Sequence, residues 1–185
     1  MELLAQLSWV DVAILALLAF GIFLGFTQGI IRYLLNLAAV FIAFVVAAQL
    51  RGPIADVMSV WQAFPAEGRE LFFFLLLFLI LAIGLWFLIR TFFSRTRLPV
   101  GAVLDEIGGA IFALAYIAIF ISLHLVVFDS FYLGAGAEPT GPLGAYYNAL
   151  NDSFIVGYLR ETVVPAIGYV ARPFVPGEIA RLLVP

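Results

Sequence analysis

The 185-residue sequence contains no cysteine and only one histidine, His124. Without cysteine the chain has no disulfide bonds, thiolate nucleophiles, iron–sulfur clusters or thiolate zinc sites. A single imidazole cannot form an H-E-x-x-H site or a three-histidine zinc site. The sequence also lacks any G-x-S-x-G, Walker A or G-x-G-x-x-G string. We therefore expect a protein that is not an enzyme, with no catalytic residues, no metal site and no cofactor.

Charge is scarce as well. Charged residues make up 11% of the chain, the net charge is −3, and the nine basic residues, all arginine, form no run. Phosphate binding requires clustered cations, so nucleic acid is not an expected partner. In contrast, 65% of the residues are hydrophobic, where soluble domains have about 45–50%. A soluble fold could not cover this much apolar surface, so the sequence predicts an integral membrane protein surrounded by the lipid bilayer.

The apolar residues form four segments long enough to cross a bilayer, which takes about 20 residues of helix. These segments cover about residues 9–26, 30–50, 71–89 and 109–128. The segment Pro53–Phe64 is too short and too mixed to cross, and its apolar residues recur at i, i+3, i+4 and i+7, which favours a short interfacial helix. The predicted fold is all-α. Residues 1–129 form a polytopic four-helix transmembrane domain, with the interfacial helix between its second and third crossings.

The remaining part, residues 130–185, is predicted to form an amphipathic tail on the membrane surface. Residues 134–144 include six glycines or prolines and are expected to form a loop. A short helix is expected to follow, with Asn151 or Asp152 as its N-cap and its end near Pro165. The same Asn-Asp-Ser string matches a glycosylation sequon, but a helix cap is the preferred interpretation.

The arginines predict the number of crossings and their orientation. Arg160 and Glu161 argue against a fifth crossing, because a charged residue at mid-bilayer costs about 2.5–3.5 kcal/mol. With four crossings, one side of the membrane holds Arg32, Arg90, Arg95 and Arg97, and the other holds Arg51 and Arg69. Positive charge favours the cytoplasmic side, so both termini and the tail are predicted to be non-cytoplasmic. No cation precedes Arg32, so the first helix is not expected to be a cleaved signal peptide.

Two stripes of small residues follow a spacing of four. They are Gly21, Gly25 and Gly29 on the first helix, and Ala39, Ala43 and Ala47 on the second. In lipid, helices associate mainly through close backbone approach at such residues. One interpretation is that the two stripes face each other in a hairpin within the chain. The other is that one stripe faces a second copy, giving a homo-oligomer, or another membrane protein.

Polar residues near the helix ends are interpreted as caps. Ser8 is the expected N-cap of the first helix, with Asp11 three residues on at the positive end of the helix dipole. Asp105 and Glu106 are expected to cap the fourth helix rather than to hold a cation.

Few polar residues are expected at membrane depth, namely Asn36, Ser122 and His124. Asn36 is a candidate for a hydrogen bond between helices. His124 is expected at the headgroup level, within reach of water or Asp129.

Three stretches of this chain resemble the CvpA family, named for the colicin V production protein. They are WVDVAILALLAFGIFLGFTQGIIRYLLNL at the first hairpin, LDEIGGAIFALAYI at the fourth helix, and NDSFIVGYLRETVVP in the tail. The family-motif positions are Asp11, Arg32, Asp105, Gly109 and Ser153. The chain departs from the family pattern at Glu106 and Tyr116, where relatives usually have cations, and at Ala113, the second small position.

The resemblance implies an uncleaved, multi-pass bacterial inner-membrane protein associated with colicin V (toxin) production and envelope homeostasis. Together with the small-residue stripes, it leads us to expect a non-enzymatic scaffold or accessory factor. The alternative is a small oligomeric transporter or channel, which would require a polar lining that the sequence hardly offers. A third hypothesis, an intramembrane enzyme, would require turnover that depends on Asp11 or Asp105.

Overall fold

A computed structural model describes residues 7–57, 66–93, 101–134 and 138–177, and these residues form helices without any strand. The α-helices are α1 (Trp9–Gln28), α2 (Ile30–Val57), α3 (Ala66–Phe92), α4 (Ala102–Asp129), α5 (Gly141–Asn151) and α6 (Phe154–Ala171). A π-helical turn, Ser130–Gly134, extends α4, and a 3-10 turn, Arg172–Phe174, follows α6. The all-α prediction is confirmed.

Five helices in the described residues are long and apolar enough to span a membrane. Four of them, α1 to α4, contain the four predicted crossings. The fifth candidate is α6 together with its 3-10 turn, Phe154–Phe174, and it is the least apolar of the five. These helices confirm that the chain is a membrane protein.

The observed helices are longer than the apolar runs that predicted them. The third was expected over 71–89 and covers Ala66–Phe92, because a helix continues into the interface after its hydrophobic run has ended. The second continues through Pro53 to Val57. Near a helix end, water can satisfy the carbonyl that proline leaves without a donor. Thus the first residues of the predicted interfacial helix belong to α2, and residues 58–64 lie outside the described residues.

The fourth helix is the centre of the packing. It lies along α1 on one side and contacts α2 and α6 on others, while α2 packs mainly on α3 and hardly touches α1. A first core lies among α2, α3, α4 and α6, around Phe44, Phe74 and Phe78. A second core lies among α1, α4, α5 and α6, around Ile14, Leu125 and Val156.

The tail is more helical than the sequence predicted. The expected loop at 134–144 is interrupted by α5, which begins at Gly141 with proline in its first turn, where a missing N–H does no harm. The N-cap of α6 is Ser153, not Asn151 or Asp152, and the helix continues past Pro165 to Ala171. Buried side chains of α6 belong to both cores.

Candidate functional site

The carboxylate of Asp11 joins two helices whose amino ends are far apart in sequence. Its Oδ2 accepts hydrogen bonds from the backbone N–H of Ser8 at 2.9 Å and from the Ser8 hydroxyl at 2.8 Å. Ser8 Oγ in turn accepts from the N–H of Asp11, which completes a capping box and confirms the predicted N-cap. Oδ1 accepts from the Ser153 hydroxyl at 2.6 Å and from the Ile155 N–H at 3.0 Å. The Asp11 side chain is fully buried.

We call the contact between Asp11 and the amino ends of α1 and α6 the first joint. Ser153 contributes to it from the side of α6. Its hydroxyl accepts the N–H of Val156 at 3.2 Å while donating to Asp11. The first turn of α6 thus has two of its otherwise unpaired N–H groups satisfied by Ser153 and Asp11. A negative carboxylate near the amino ends of both α1 and α6 is also favourable for the two helix dipoles.

Asp105 forms a second joint at the opposite end of α1. Its Oδ1 accepts the backbone N–H of Ile30, the first residue of α2, at 3.0 Å, and the carboxylate is buried. The prediction that Asp105 caps its own helix is wrong, since the N-cap position of α4 is Gly101 and no side chain caps the helix there. Asp105 lies one position beyond the place from which a capping box is made. Asp105 instead accepts the N–H of Ile30 at the amino end of α2. The one-residue turn at Gly29 leaves this N–H without a backbone acceptor.

Glycine at position 29 makes this arrangement feasible. Its φ of 80° lies in the left-handed region, where other residues are strained. A Cβ added there would also overlap the Asp105 carboxylate. Both requirements, the backbone conformation and the space, select glycine.

The glycine stripe of α1 packs against α4, not against the alanine stripe of α2. A Cβ added to Gly25 would lie 2.6 Å from the Cα of Ala110, and one added to Gly109 would lie 2.9 Å from the Cα of Gly29. A Cβ on Gly21 would overlap Ile117. We call this contact the glycine seam. It forms here because α4 also presents small residues, so that two backbones can approach each other.

The alanine stripe lies in the first core, where Ala39, Ala43 and Ala47 are all buried. The interpretation that the two stripes face each other in a hairpin is therefore wrong. Both stripes are covered within the chain, so a second copy or a partner would have to contact other surfaces.

Arg32 connects the second and third helices at the same end of the bundle as Asp105. Its Nε donates to the carbonyl oxygen of Phe93 at 3.0 Å, across 61 positions. Arg32, Asp105 and Gly109 therefore gather at the end where α1 gives way to α2. Asp11 and Ser153 lie together at the other end, about 30 Å away along the 20 residues of α1.

A third buried carboxylate, Asp129 at the end of α4, binds the tail. Arg160 approaches it with both Nε at 3.0 Å and Nη2 at 2.7 Å, which is a bidentate pair. The Tyr147 hydroxyl donates to Asp129 at 3.0 Å, and the Asn151 side chain accepts from Arg160 at 2.7 Å. Burial and the nearby Asp129 charge raise the pKa of Tyr147 to about 12, so it remains a protonated donor. Sequence reasoning missed this cluster, because no local spacing relates position 129 to 160.

The sequence predicted that His124 reaches water or Asp129, but its partner among the described residues is Tyr146 and not Asp129. Its Nε2 lies 3.3 Å from the hydroxyl of Tyr146 on α5, and its ring packs 4.8 Å from that of Phe128. Asn36 was a candidate for a hydrogen bond between helices, but its Oδ1 accepts none from the described residues. That atom and the hydroxyl oxygen of Ser122 are buried without a partner among the described residues.

These three buried carboxylates thus hold helices together. Asp11 and Asp105 each lie in the first turn of one helix and cap the amino end of another, and Asp129 ties α4 to the tail. The remaining surface of α1 to α4 is rich in exposed leucine, isoleucine and phenylalanine. These features define a polytopic α-helical membrane protein.

Comparison with known proteins identifies the family. The model of the Colicin V production protein family matches residues 10–164, so the chain belongs to this family. No curated protein and no solved structure matches the chain. The matched range contains the glycine seam and all of the residues that form the Asp11, Asp105 and Asp129 joints except Ser8. The resemblance inferred from the sequence is confirmed, and with it an association with colicin V production.

Proposed function

We propose that this protein is a non-enzymatic scaffold or accessory factor of the bacterial inner membrane, acting in colicin V production or envelope homeostasis. Family membership supports the link to colicin V production. The observation that carries the scaffold role is that the buried carboxylates are engaged by donors of the chain itself. An acid–base catalyst or an ion site needs a carboxylate oxygen that faces substrate or ion.

The Asp11 carboxylate illustrates the argument best. Its two oxygens accept four hydrogen bonds within the chain, from Ser8, Ser153 and Ile155. Two further carboxylates have chain donors as well, Ile30 for Asp105 and Arg160 for Asp129. These groups fix the relative positions of α1, α2, α4 and α6. A rigid helical frame is what a scaffold has to present.

The surface available to a partner is apolar. On α3, the side chains of Leu79, Ile80, Ile83 and Phe87 are each at least half exposed. On α1, Phe20 and Phe23 are similarly exposed. In a bilayer such faces contact lipid or other helices, so the proposed partner is a second copy of this chain or another membrane protein.

We further propose four crossings, α1 to α4, with the tail and both termini on the non-cytoplasmic side. The two ends of α6 support this topology. Asp11, at the amino end of α1, holds Ile155, and the Gln49 side chain donates to the Phe174 carbonyl at 2.9 Å near the carboxyl end of α2. In consecutive crossings these two ends lie on one side of the membrane. A helix that is held at both ends on one side does not cross.

The absence of native cysteine allows a direct test of this topology by single-cysteine labelling. Glu161→Cys on the exposed surface of α6 should react with a membrane-impermeant thiol reagent added to whole spheroplasts. Thr27→Cys, exposed at the opposite end of α1, should react only after the membrane is permeabilised. Labelling of both positions from the same side would contradict the proposed topology.

Co-purification in mild detergent tests the scaffold role. We expect the wild-type particle to contain a second copy or another membrane protein, and Phe87→Ala or Ile80→Ala to weaken that association without loss of helicity. A strictly monomeric particle without partners would overturn the proposal. So would solute flux in liposomes that disappears in the His124→Leu variant, since this would favour a transporter or channel.

A further inference from the structure

A cavity of about 260 Å³ lies between α1, α4 and α5. Its lining includes Trp9, Ala13 and Leu17 of α1, Phe120 and His124 of α4, and Tyr146 of α5. We call this cavity the slot. Trp9 and Leu17 on its α1 wall are both more than two-fifths exposed, so the slot opens towards the outer surface of the bundle, where lipid lies.

The slot is polar at one end only. The Tyr146 ring lies 6.5 Å from that of Trp9, the first residue of α1, and the Tyr146 hydroxyl lies 3.3 Å from His124 Nε2. Leu17 is eight residues further along α1, about 12 Å deeper, and Phe120 is one turn deeper on α4. A membrane lipid has the same order, with polar oxygens near the interface and the acyl chain below. Trp9 at the entrance is the residue type found at that interface.

One nitrogen of His124 is available to a ligand. Nε2 interacts with the Tyr146 hydroxyl, whereas Nδ1 has no hydrogen-bond partner among the described residues. A neutral imidazole carries one donor nitrogen and one acceptor nitrogen. When Nε2 accepts from Tyr146, Nδ1 carries the proton. An oxygen of the ligand beside it would then accept a hydrogen bond that the protein does not provide.

The lining of the slot favours a ligand whose oxygen is uncharged. None of the residues that line the slot is charged. A phosphate or carboxylate in such a cavity would be costly without a paired cation. An ester carbonyl is a neutral acceptor and lies in a lipid just below the headgroup. At about 30 Å³ for each water-sized group, the slot holds roughly nine such groups, which is the upper part of one chain and not a whole lipid.

We propose that the slot binds the ester end of one acyl chain of a bilayer phospholipid. The ester carbonyl accepts a hydrogen bond from Nδ1 of His124, the chain runs along α1 towards Leu17, and the headgroup remains outside beyond Trp9. This site is independent of the scaffold role, because it requires neither a second copy nor a partner protein.

Photo-crosslinking in vesicles tests the site. The full chain is reconstituted in phosphatidylethanolamine and phosphatidylglycerol vesicles that contain a small fraction of phosphatidylethanolamine with a diazirine near the ester end of one chain. After illumination, mass spectrometry should place the adducts on the peptides of the slot. Ala13→Leu fills the slot and should lower this yield about tenfold. Ala19→Leu adds the same side chain on the exposed face of α1 and should leave it unchanged.

The proposed hydrogen bond from His124 Nδ1 to the ester carbonyl is tested separately. His124→Leu keeps an apolar wall but removes the donor, and should lower the yield about fivefold, the effect of one hydrogen bond. His124→Phe, which removes the donor but keeps an aromatic ring, serves the same purpose if the first variant does not fold.

Three outcomes would overturn the proposal. The first is a yield in the slot that equals the yield on the exposed α3 face around Ile80, or that is unchanged by Ala13→Leu. The second is a yield that survives removal of the donor, which would refute the role of the carbonyl. The third is displacement of the phospholipid probe by an equimolar free fatty acid, which would assign the slot a different occupant.

Discussion

Asp11 and Ser153 lie 142 positions apart in the sequence, and their side chains are joined by a hydrogen bond of 2.6 Å. The same carboxylate oxygen accepts the N–H of Ile155 at 3.0 Å. One buried carboxylate thus caps the amino end of α6 while it completes the capping box of α1. We infer that this joint fixes where the tail packs on the transmembrane helices.

Removal of the Asp11 carboxylate should release the amino end of α6. Asp11→Ala leaves the Ser153 hydroxyl and the Ile155 N–H without an acceptor, and each buried unpaired donor costs about 1–3 kcal/mol. We expect the free energy of unfolding to fall by about 2–6 kcal/mol and amide hydrogen exchange at Ile155 to accelerate. Asp11→Asn keeps one acceptor oxygen and should cost less. Equal protection of Ile155 in all three proteins would refute the joint.

Loss of the second joint, at Asp105, should destabilise the protein less than loss of the first, and Glu106 provides a control at the next position. Asp105→Ala removes the cap on Ile30 and should lower the free energy of unfolding by about 1–2 kcal/mol, as for other lost N-caps. Glu106→Gln, at the next position, should change it by less than about 0.5 kcal/mol. Reversible unfolding in mixed micelles measures both, and an equal effect of the two substitutions would count against the cap.

The glycine seam predicts that a glycine-to-alanine substitution destabilises the protein in α1 but stabilises it in α3. Gly25→Ala places a Cβ 2.6 Å from the Cα of Ala110 and should destabilise by about 1–3 kcal/mol, because the two backbones must separate. Gly84→Ala on α3 meets nothing within 4 Å and should stabilise by up to about 1 kcal/mol through helix propensity. Thermal unfolding in detergent compares them. A neutral Gly25→Ala would show that α1 and α4 do not approach this closely.

The raised pKa of Tyr147 predicts how the stability of the tail changes at alkaline pH. Its pKa is raised from 10.0 to about 12, first by burial and then by the Asp129 charge. Because the folded pKa is the higher one, this stabilisation is fully present below pH 10 and is lost as the pH rises from about 10 to 12. Tyr147→Phe should lose the hydrogen bond to Asp129 and with it this part of the pH dependence. Unfolding midpoints measured across that range should therefore converge for the two proteins, and parallel curves would contradict the assignment.

Local patterns predicted the helices well. The apolar runs located α1 to α4, since burial in lipid is a property of each segment by itself. The Ser8 capping box was also predictable, because its two residues are three positions apart. Helix ends were less predictable, as at Val57, because a helix continues beyond the hydrophobic run that indicates it.

Partners across the chain were not predictable in the same way. A carboxylate at Asp105 gives the same sequence signal whether it caps its own helix or α2. The glycine stripe identified a face for close packing, but the choice of α4 over α2 depends on which helix offers Gly109 and Ala110 opposite it. The Asp129–Arg160 pair has no local signal at all, since it arises only when the tail folds back.

In-cell photo-crosslinking from the exposed helix faces tests most directly whether this protein acts through contacts between helices. A photoreactive residue is introduced at Phe23 or Phe87, whose side chains are 64% and 62% exposed, and at the fully buried Phe44 as a control. We predict a discrete adduct with a second copy or another membrane protein from at least one exposed position, and none from Phe44. The absence of any protein adduct from both exposed positions would contradict a scaffold role.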